Sequence, residues 1–309
     1  VLNYLAKRLI NSIIVLWIVM TVTFFLMHAI PGGPFTAEKS LPPAVQANIE
    51  ARYKLNDPLS TQYMDYVTNI LHGDLGPSFK YVGRSVNDII GESFPVSFEL
   101  GMEAIIIALL VGIPAGVLAA YRRNNWPDRT VNLLTTLGIA VPGFVLAALL
   151  VDVFAMKLGL FPAAMWDNWS SRVLPSIALA AMPMAFITRL TRSSMLEVLG
   201  QDYIKTAKAK GLTTSYILFK HALPNALIPV VTYIGPMVAS ILTGSFVIET
   251  IFAIPGLGSY YVTSIYNRDY TVILGVTVFY SAIIIFMNML VDIIYPMLDP
   301  RIKLGEKED

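Results

Sequence analysis

With 309 residues, 55% of them apolar and 14% charged, the chain falls well short of the roughly 25% charge of a soluble domain, and its composition is that of a membrane protein. A formal net charge of +1 and no basic arm argue against a nucleic-acid partner. The absence of cysteine excludes disulfides, thiolate metal sites and a thiol nucleophile.

Residues 9–30 form the first apolar run. At about 1.5 Å per residue it makes roughly 33 Å of helix, enough to cross a bilayer. Lys7 and Arg8 precede it, and Pro31, Gly32, Gly33 and Pro34 follow without a small-x-small cleavage site, so an uncleaved membrane helix is expected. Residues 31–96 are the longest polar stretch. Val45, Ile49 and Tyr53 recur at helical spacing; after the turn Asn56-Asp57-Pro58, so do Tyr63, Tyr66, Val67, Ile70 and Leu71. Two short amphipathic helices outside the membrane are the expectation.

A second span is expected at 97–120, where Gly112 and Gly116 offer a small-xxx-small face beside Pro114. Glu99 and Glu103 then fall in its first turns, where the helix dipole favours anions. Arg122, Arg123 and Arg129 fill the link to a third span, 131–156, containing Pro142. A fourth is expected at 173–190 with Pro183, and a fifth at 229–248 with Pro236. Residues 251–266 are too short to cross and are broken by Pro255, Gly256 and Gly258, which predicts a re-entrant or interfacial segment. A last span, 271–295, ends at Pro296. Prolines in four successive spans argue for a pathway or a moving bundle, since hydrocarbon cannot replace the backbone bonds they remove.

Six spans place both termini on one side. Counting lysines and arginines with the N-terminus inside gives 14 on inner segments against 3 on the short outer loops, while the long 31–96 loop holds 5. The positive-inside rule therefore puts the 191–228 link in the cytoplasm. Asp152, Glu249 and Asp292 lie at or near span ends, where an intramembrane carboxylate is a functional candidate. Asp152 and Glu249, with Pro255 and Gly256, are the candidates for a translocation path or gate. Scattered His28, His72 and His221 hold no metal-ligand spacing. An ion-coupled transporter would want carboxylates at mid-span, and an intramembrane protease a Ser/His or paired-Asp set at one depth; neither pattern is present.

Inside the cytoplasmic link, residues 202–224 read DYIKTAKAKGLTTSYILFKHALP. Asp202 opens a short helix, Gly211 breaks it, and a second helix ends at Leu223-Pro224. Lys205, Lys208, Lys210 and Lys220 make one side basic; Ala207, Leu212 and Ile217 keep another apolar. A basic surface lying on anionic lipid is one reading, contact with a soluble partner the other. The chain has no G-x-x-x-x-G-K-[ST] loop, so any nucleotide engine must be another chain.

This loop resembles that of the membrane permeases of ATP-binding-cassette importers. They carry Glu-Ala-Ala, a glycine four residues after the second Ala, and Leu-Pro thirteen and fourteen positions on, counted inclusively. Here Ala207, Gly211, Leu223 and Pro224 match, while Lys205 and Thr206 replace the Glu and first Ala, as in peptide and nickel permeases. The blocks 31–63, GDLGPSFKY (73–81), TGSFVIETIFAIPGLG (243–258) and NRDY (267–270) are similar to the B-type permease subunits of oligopeptide importers, the first block favouring oligopeptides over dipeptides, glutathione or nickel.

The resemblance implies an all-α, six-helix, N-in/C-in type I importer bundle in the bacterial inner membrane, in contact with lipid. It implies a heterodimer with a second permease subunit, two cytoplasmic ATPase subunits holding ATP and Mg, an extracytoplasmic peptide-binding protein and a peptide substrate. The chain itself would be non-catalytic and hold no cofactor. Asp202, Lys205, Thr206, Ala207, Lys208, Lys210, Gly211, Leu212, Ile217, Leu223 and Pro224 would form the ATPase-coupling loop.

Overall fold

A computed structural model describes residues 2–31 and 55–298. The amphipathic segment expected around Val45, Ile49 and Tyr53 and the basic residues Arg301, Lys303 and Lys307 lie outside the described residues, as does the side chain of Asp292. Within them the chain is helical, with an isolated bridge between Pro77 and Ser85 and no strand. In order come α1 (Leu2–Ala29), α2 (Leu59–Leu71), α3 (Val86–Tyr121), α4 (Trp126–Ala140), α5 (Gly143–Leu150), α6 (Trp169–Leu199), α7 (Asp202–Ala209), α8 (Ile228–Gly244), α9 (Phe246–Ile251), α10 (Leu257–Asn267) and α11 (Tyr270–Leu298).

Five stretches are long and apolar enough to cross a membrane: Ala6–Ala29, Val86–Tyr121, Trp169–Leu199, Ile228–Ile251 and Tyr270–Leu290. The pair Trp126–Ala140 and Gly143–Lys157, bent by 108°, is the sixth when taken as one broken span. Pro114, Pro183 and Pro236 sit within continuous helices, whereas Pro142 separates two. The residue before it, Val141, is extended at φ −85° and ψ 120°, the conformation that a following proline favours over the helical one.

Helix α3 starts eleven residues before the apolar run, and the reason is local. Asp88 N donates to Ser85 Oγ at 3.1 Å, and Ser85 N donates to Asp88 Oδ2 at 3.0 Å, a reciprocal N-terminal cap. Glu99 and Glu103 therefore lie several turns inside the helix, beyond reach of its dipole. What holds them is Arg172: its guanidinium bonds Glu99 and stands 3.5 Å from Glu103 Oε1, and Ser176 donates to Glu103 Oε2 at 2.6 Å.

By internal packing the chain divides into two units. The first, with Ser97–Ile254 at its heart, buries Ala104, Ile105 and Ala108 of α3 against Ala180 and Ile187 of α6 and Val230, Met237 and Ile241 of α8. Helices α3 and α6 approach closely at Gly112 and Gly116. A Cβ at Gly116 would lie 2.6 Å from the Thr188 carbonyl oxygen, and one at Gly112 3.0 Å from that of Met184. In the second unit, Leu2–Val96 with Pro255–Ile283, Val86, Ile89 and Ile90 pack with Leu257, Val272, Val276 and Tyr280. There α1 meets α2 through Thr21 Oγ1 and Tyr63 OH at 2.7 Å and the stacked rings of Phe24 and Tyr66. Buried Asp269 precedes α11 and accepts from the Ser78 hydroxyl, Phe79 N at 3.1 Å and Lys80 N at 3.2 Å, fixing the 78–80 loop.

Candidate functional site

The polar loop after α6 is ordered by its own sequence. Gln201 is extended (ψ 152°) and turns the chain out of α6 into α7. At the far end Gly211 adopts φ 76°, a left-handed conformation that a side chain resists. Gly211 N donates to Lys208 O at 3.0 Å and Leu212 N to Ala207 O at 3.3 Å, the two bonds of a Schellman cap. After extended Thr213 the chain continues as Thr214–Tyr216, a widened π-helical turn Ile217–Ala222, and Leu223–Ala226. Pro224, at the start of that last piece, has no N–H to offer the Lys220 carbonyl.

Apolar residues at helical spacing give this loop an inside. Ile204, Ala207, Ile217, Ala222 and Ala226 are buried against Ala120 at the end of α3 and Met195 in α6, with Leu223 packed at the margin. Asn225 Nδ2 donates to the Tyr203 hydroxyl at 3.1 Å and ties α7 to the second half of the loop. Outward go Lys205, Thr206, Lys208, Lys210, Gly211 and Lys220, with Asp202 paired to Lys205 at 2.8 Å. Leu212 is 38% exposed, Tyr216 47% and Phe219 67%.

Ala207 and Ile217 are thereby corrected as contact residues: at 7% and 2% exposure their side chains belong to this chain's own core. Tyr216 and Phe219, which the lysine pattern hid, supply the exposed apolar surface. Their spacing of three residues was the signal. The face is cationic at its rim, with exposed aromatic and aliphatic side chains between the lysines. No cluster of metal-ligating side chains occurs among the described residues.

A second polar cluster lies behind the loop. Asp128, in the first turn of α4 and 3% exposed, receives Arg192 Nε at 2.6 Å and Nη2 at 2.9 Å. The Asp128 carboxylate also accepts from Asn124 N at 2.9 Å and Asn132 Nδ2 at 2.7 Å. The two residues stand 64 positions apart, and no local pattern in the sequence pairs them.

The candidate path residues each sit in a local setting of their own. Asp152 stands on the π-helical turn Val151–Lys157 and pairs with Lys157 at 2.6 Å. Glu249 is buried in α9 and accepts from the Ser245 hydroxyl. Pro255 and Gly256 lead into α10, with Gly256 as its N-terminal cap residue in extended conformation. Nearby, Ala253 takes a left-handed φ of 50° and Met165 one of 79°, and Met165 N donates to the Phe252 carbonyl at 2.8 Å.

Comparison with known proteins places this geometry. Residues 112–304 match the family of binding-protein-dependent transport system inner membrane components, and residues 1–110 match the N-terminal family of the same components. The chain is 56% identical over 305 residues to the dipeptide transport system permease protein DppB of Bacillus subtilis, covering 99% of each chain. It is 46% identical over 304 residues to the oligopeptide transport system permease protein OppB of Salmonella typhimurium, covering 98% of this chain and 99% of that one. A chain from inward-facing MetNI methionine ABC transporter matches with a TM-score of 0.57 at 20% identity, over 68% of this chain and 96% of the other. That last likeness identifies the fold as a type I importer permease.

Proposed function

The chain belongs to the family of inner-membrane components of binding-protein-dependent transport systems, and on that premise we propose that it is the peptide-conducting permease subunit of an ATP-driven importer. It is a multi-pass inner-membrane protein. The observation that carries the reading is its full-length similarity to two curated peptide permeases, DppB and OppB. Hydrolysis belongs to partner chains, because the sequence has no phosphate-binding loop. The assembly is this chain, a second permease subunit, two ATPases that hold ATP and Mg, and an extracytoplasmic binding protein.

The docking surface is the loop after α6. Lys205, Lys208 and Lys210 form its charged rim, Leu212, Tyr216 and Phe219 its apolar contacts, and Gly211 the bend that presents them. ATP closes the two ATPases, the loop moves with them, and the bundle opens outward to accept peptide from the binding protein. Hydrolysis and product release return it inward. Asp152, Glu249, Pro255 and Gly256 are the path or gate positions; Glu249→Gln is expected to change the half-saturating peptide concentration or the transport rate, with membrane abundance unchanged.

The cargo is peptides longer than two residues, a reading supported by the 31–63 block. The dipeptide reading is favoured by the 56% identity to DppB. Proteoliposomes holding the assembled complex, given binding protein, ATP and labelled di- and pentapeptides, separate the two. Uptake of pentapeptide is expected; uptake of dipeptide alone selects the second reading, and uptake of neither refutes the peptide permease.

A further inference from the structure

The loop touches only part of the bundle it has to move. Its buried side packs on the ends of α3 and α6, through Ala120 and Met195. Helix α4 contributes nothing to that core. Yet α4 leads directly into the 108° break at Val141-Pro142, the sharpest bend between neighbouring span segments in the described residues. A displaced loop reaches α4 by way of α6.

Two arginines of α6 reach α4: Arg189 Nη2 donates to Thr136 Oγ1 at 3.3 Å, and Arg192, three residues from Met195, makes the ionic connection nearest the loop. The Arg192 guanidinium grips both oxygens of Asp128, at 2.6 and 2.9 Å. Two parallel charge-assisted bonds fix orientation as well as distance, which a single bond does not. Asp128 is anchored in turn by Asn124 N and Asn132 Nδ2, so a pull on Arg192 is delivered to the first turn of α4. At the other end of α4, Gly138 meets Ala185 of α6 so closely that a Cβ would stand 3.0 Å from the Ala185 Cβ. The helix is thus held near its hinge by packing and driven at its free end by charge. Along α6 itself, 31 residues of helix make a lever about 45 Å long.

We propose that Asp128 and Arg192 are positioning residues that transmit the movement of the docking loop from α6 to α4, turning α4 about the Val141-Pro142 break. The inference rests on the reading of this chain as an importer permease. A pair that only anchored two helix ends would lower abundance and lower every activity in proportion. A transmitting pair sets how much peptide moves for each ATP hydrolysed.

The test uses the assembled complex in proteoliposomes, with binding protein and labelled peptide, measuring uptake and ATP hydrolysis in the same vesicles. Asp128→Asn and Arg192→Gln are expected to keep ATP hydrolysis while peptide moved per ATP falls by about tenfold or more, within the usual range of a coupling interaction. The exchanged pair Asp128→Arg with Arg192→Asp is expected to recover most of that ratio. A ratio unchanged in the single variants, or uptake and hydrolysis falling together in all three, overturns the proposal. Should a single variant fail to reach the membrane, the exchanged pair decides: coupled transport supports the assignment, and uncoupled hydrolysis refutes it. Failure of the unsubstituted complex to import peptide would instead sink the importer reading itself, and the two failures are distinct.

Discussion

The close approach of α3 and α6 makes a quantitative prediction at Gly116. Substituting alanine puts a Cβ 2.6 Å from the Thr188 carbonyl oxygen and equally close to Thr191 Cβ, where ordinary contact begins at 3.4 Å. Both obstacles are backbone or branched at Cβ, so neither can rotate away, and the helices must part by the difference of about 0.8 Å. A gap of that size forfeits a quarter to a half of each contact's dispersion energy; over roughly twenty facing atom pairs at ~0.15 kcal/mol this loses about 1 kcal/mol. Strain from overpacking adds about 1–3 kcal/mol, and the helical preference of alanine over glycine returns about 1. The net expectation is a loss of about 1–3 kcal/mol. Gly244 is the internal control: nothing lies within 4 Å of a Cβ there, so Gly244→Ala should gain about 0.5–1 kcal/mol. Reversible unfolding in mixed detergent micelles, followed by circular dichroism, reads both. Equal stability of Gly116→Ala and the parent chain would refute the packing argument.

Other substitutions test the remaining parts. Gly211→Val meets no neighbour within 4 Å but must hold φ 76°, at about 1–2 kcal/mol; the loop end should rearrange, and peptide uptake should fall while membrane insertion is kept, which normal uptake would contradict. Asp269→Asn replaces a buried acceptor of the Phe79 and Lys80 amides. It should cost about 2 kcal/mol and speed hydrogen exchange at those two positions, with unchanged protection as the contrary result. The hydroxyl of Tyr66 is buried and finds no hydrogen-bond partner among the described residues, so Tyr66→Phe should stabilise by about 1 kcal/mol. Burial raises the Tyr66 ionisation above its ordinary value. The protonated fold is favoured, so stability should be lost as pH rises past about 10 in the parent chain, and less so in Tyr66→Phe. A steeper loss in the variant would contradict this.

Most of the bundle was legible because its signals are local or periodic. Apolar runs of spanning length marked the helices, and Gly112 with Gly116 announced a close helix contact, which α6 supplies. Family likeness rested on the spacing from Gly211 to Leu223-Pro224 and on the outer-loop blocks. What stayed hidden depended on partners far apart in the chain. Glu99 and Glu103 were assigned to a helix start because the cap at Ser85 and Asp88 precedes the hydrophobic run; their true partner, Arg172, is about seventy residues away. The pairing of Asp128 with Arg192 has no sequence signal, because hydropathy does not see pairing across 64 positions. Ile217 looked available since a one-dimensional pattern cannot say which apolar side of a short helix turns inward, whereas its burial beside Ile204 and Met195 does. Pro142 resembled the other three span prolines, and only its extended predecessor Val141 sets it apart.

The central claim is tested most directly by transport itself. The chain is co-expressed with its partner subunits, purified through a tag on this chain alone, and reconstituted with ATP inside the vesicles and binding protein with labelled peptide outside, where the outer face of the bundle is presented. P-loop ATPases and a second six-span chain are expected to co-purify, and peptide to accumulate only with ATP and binding protein both present. Accumulation driven by a proton or sodium gradient without ATP, or a chain that purifies free of any ATPase, would contradict that claim.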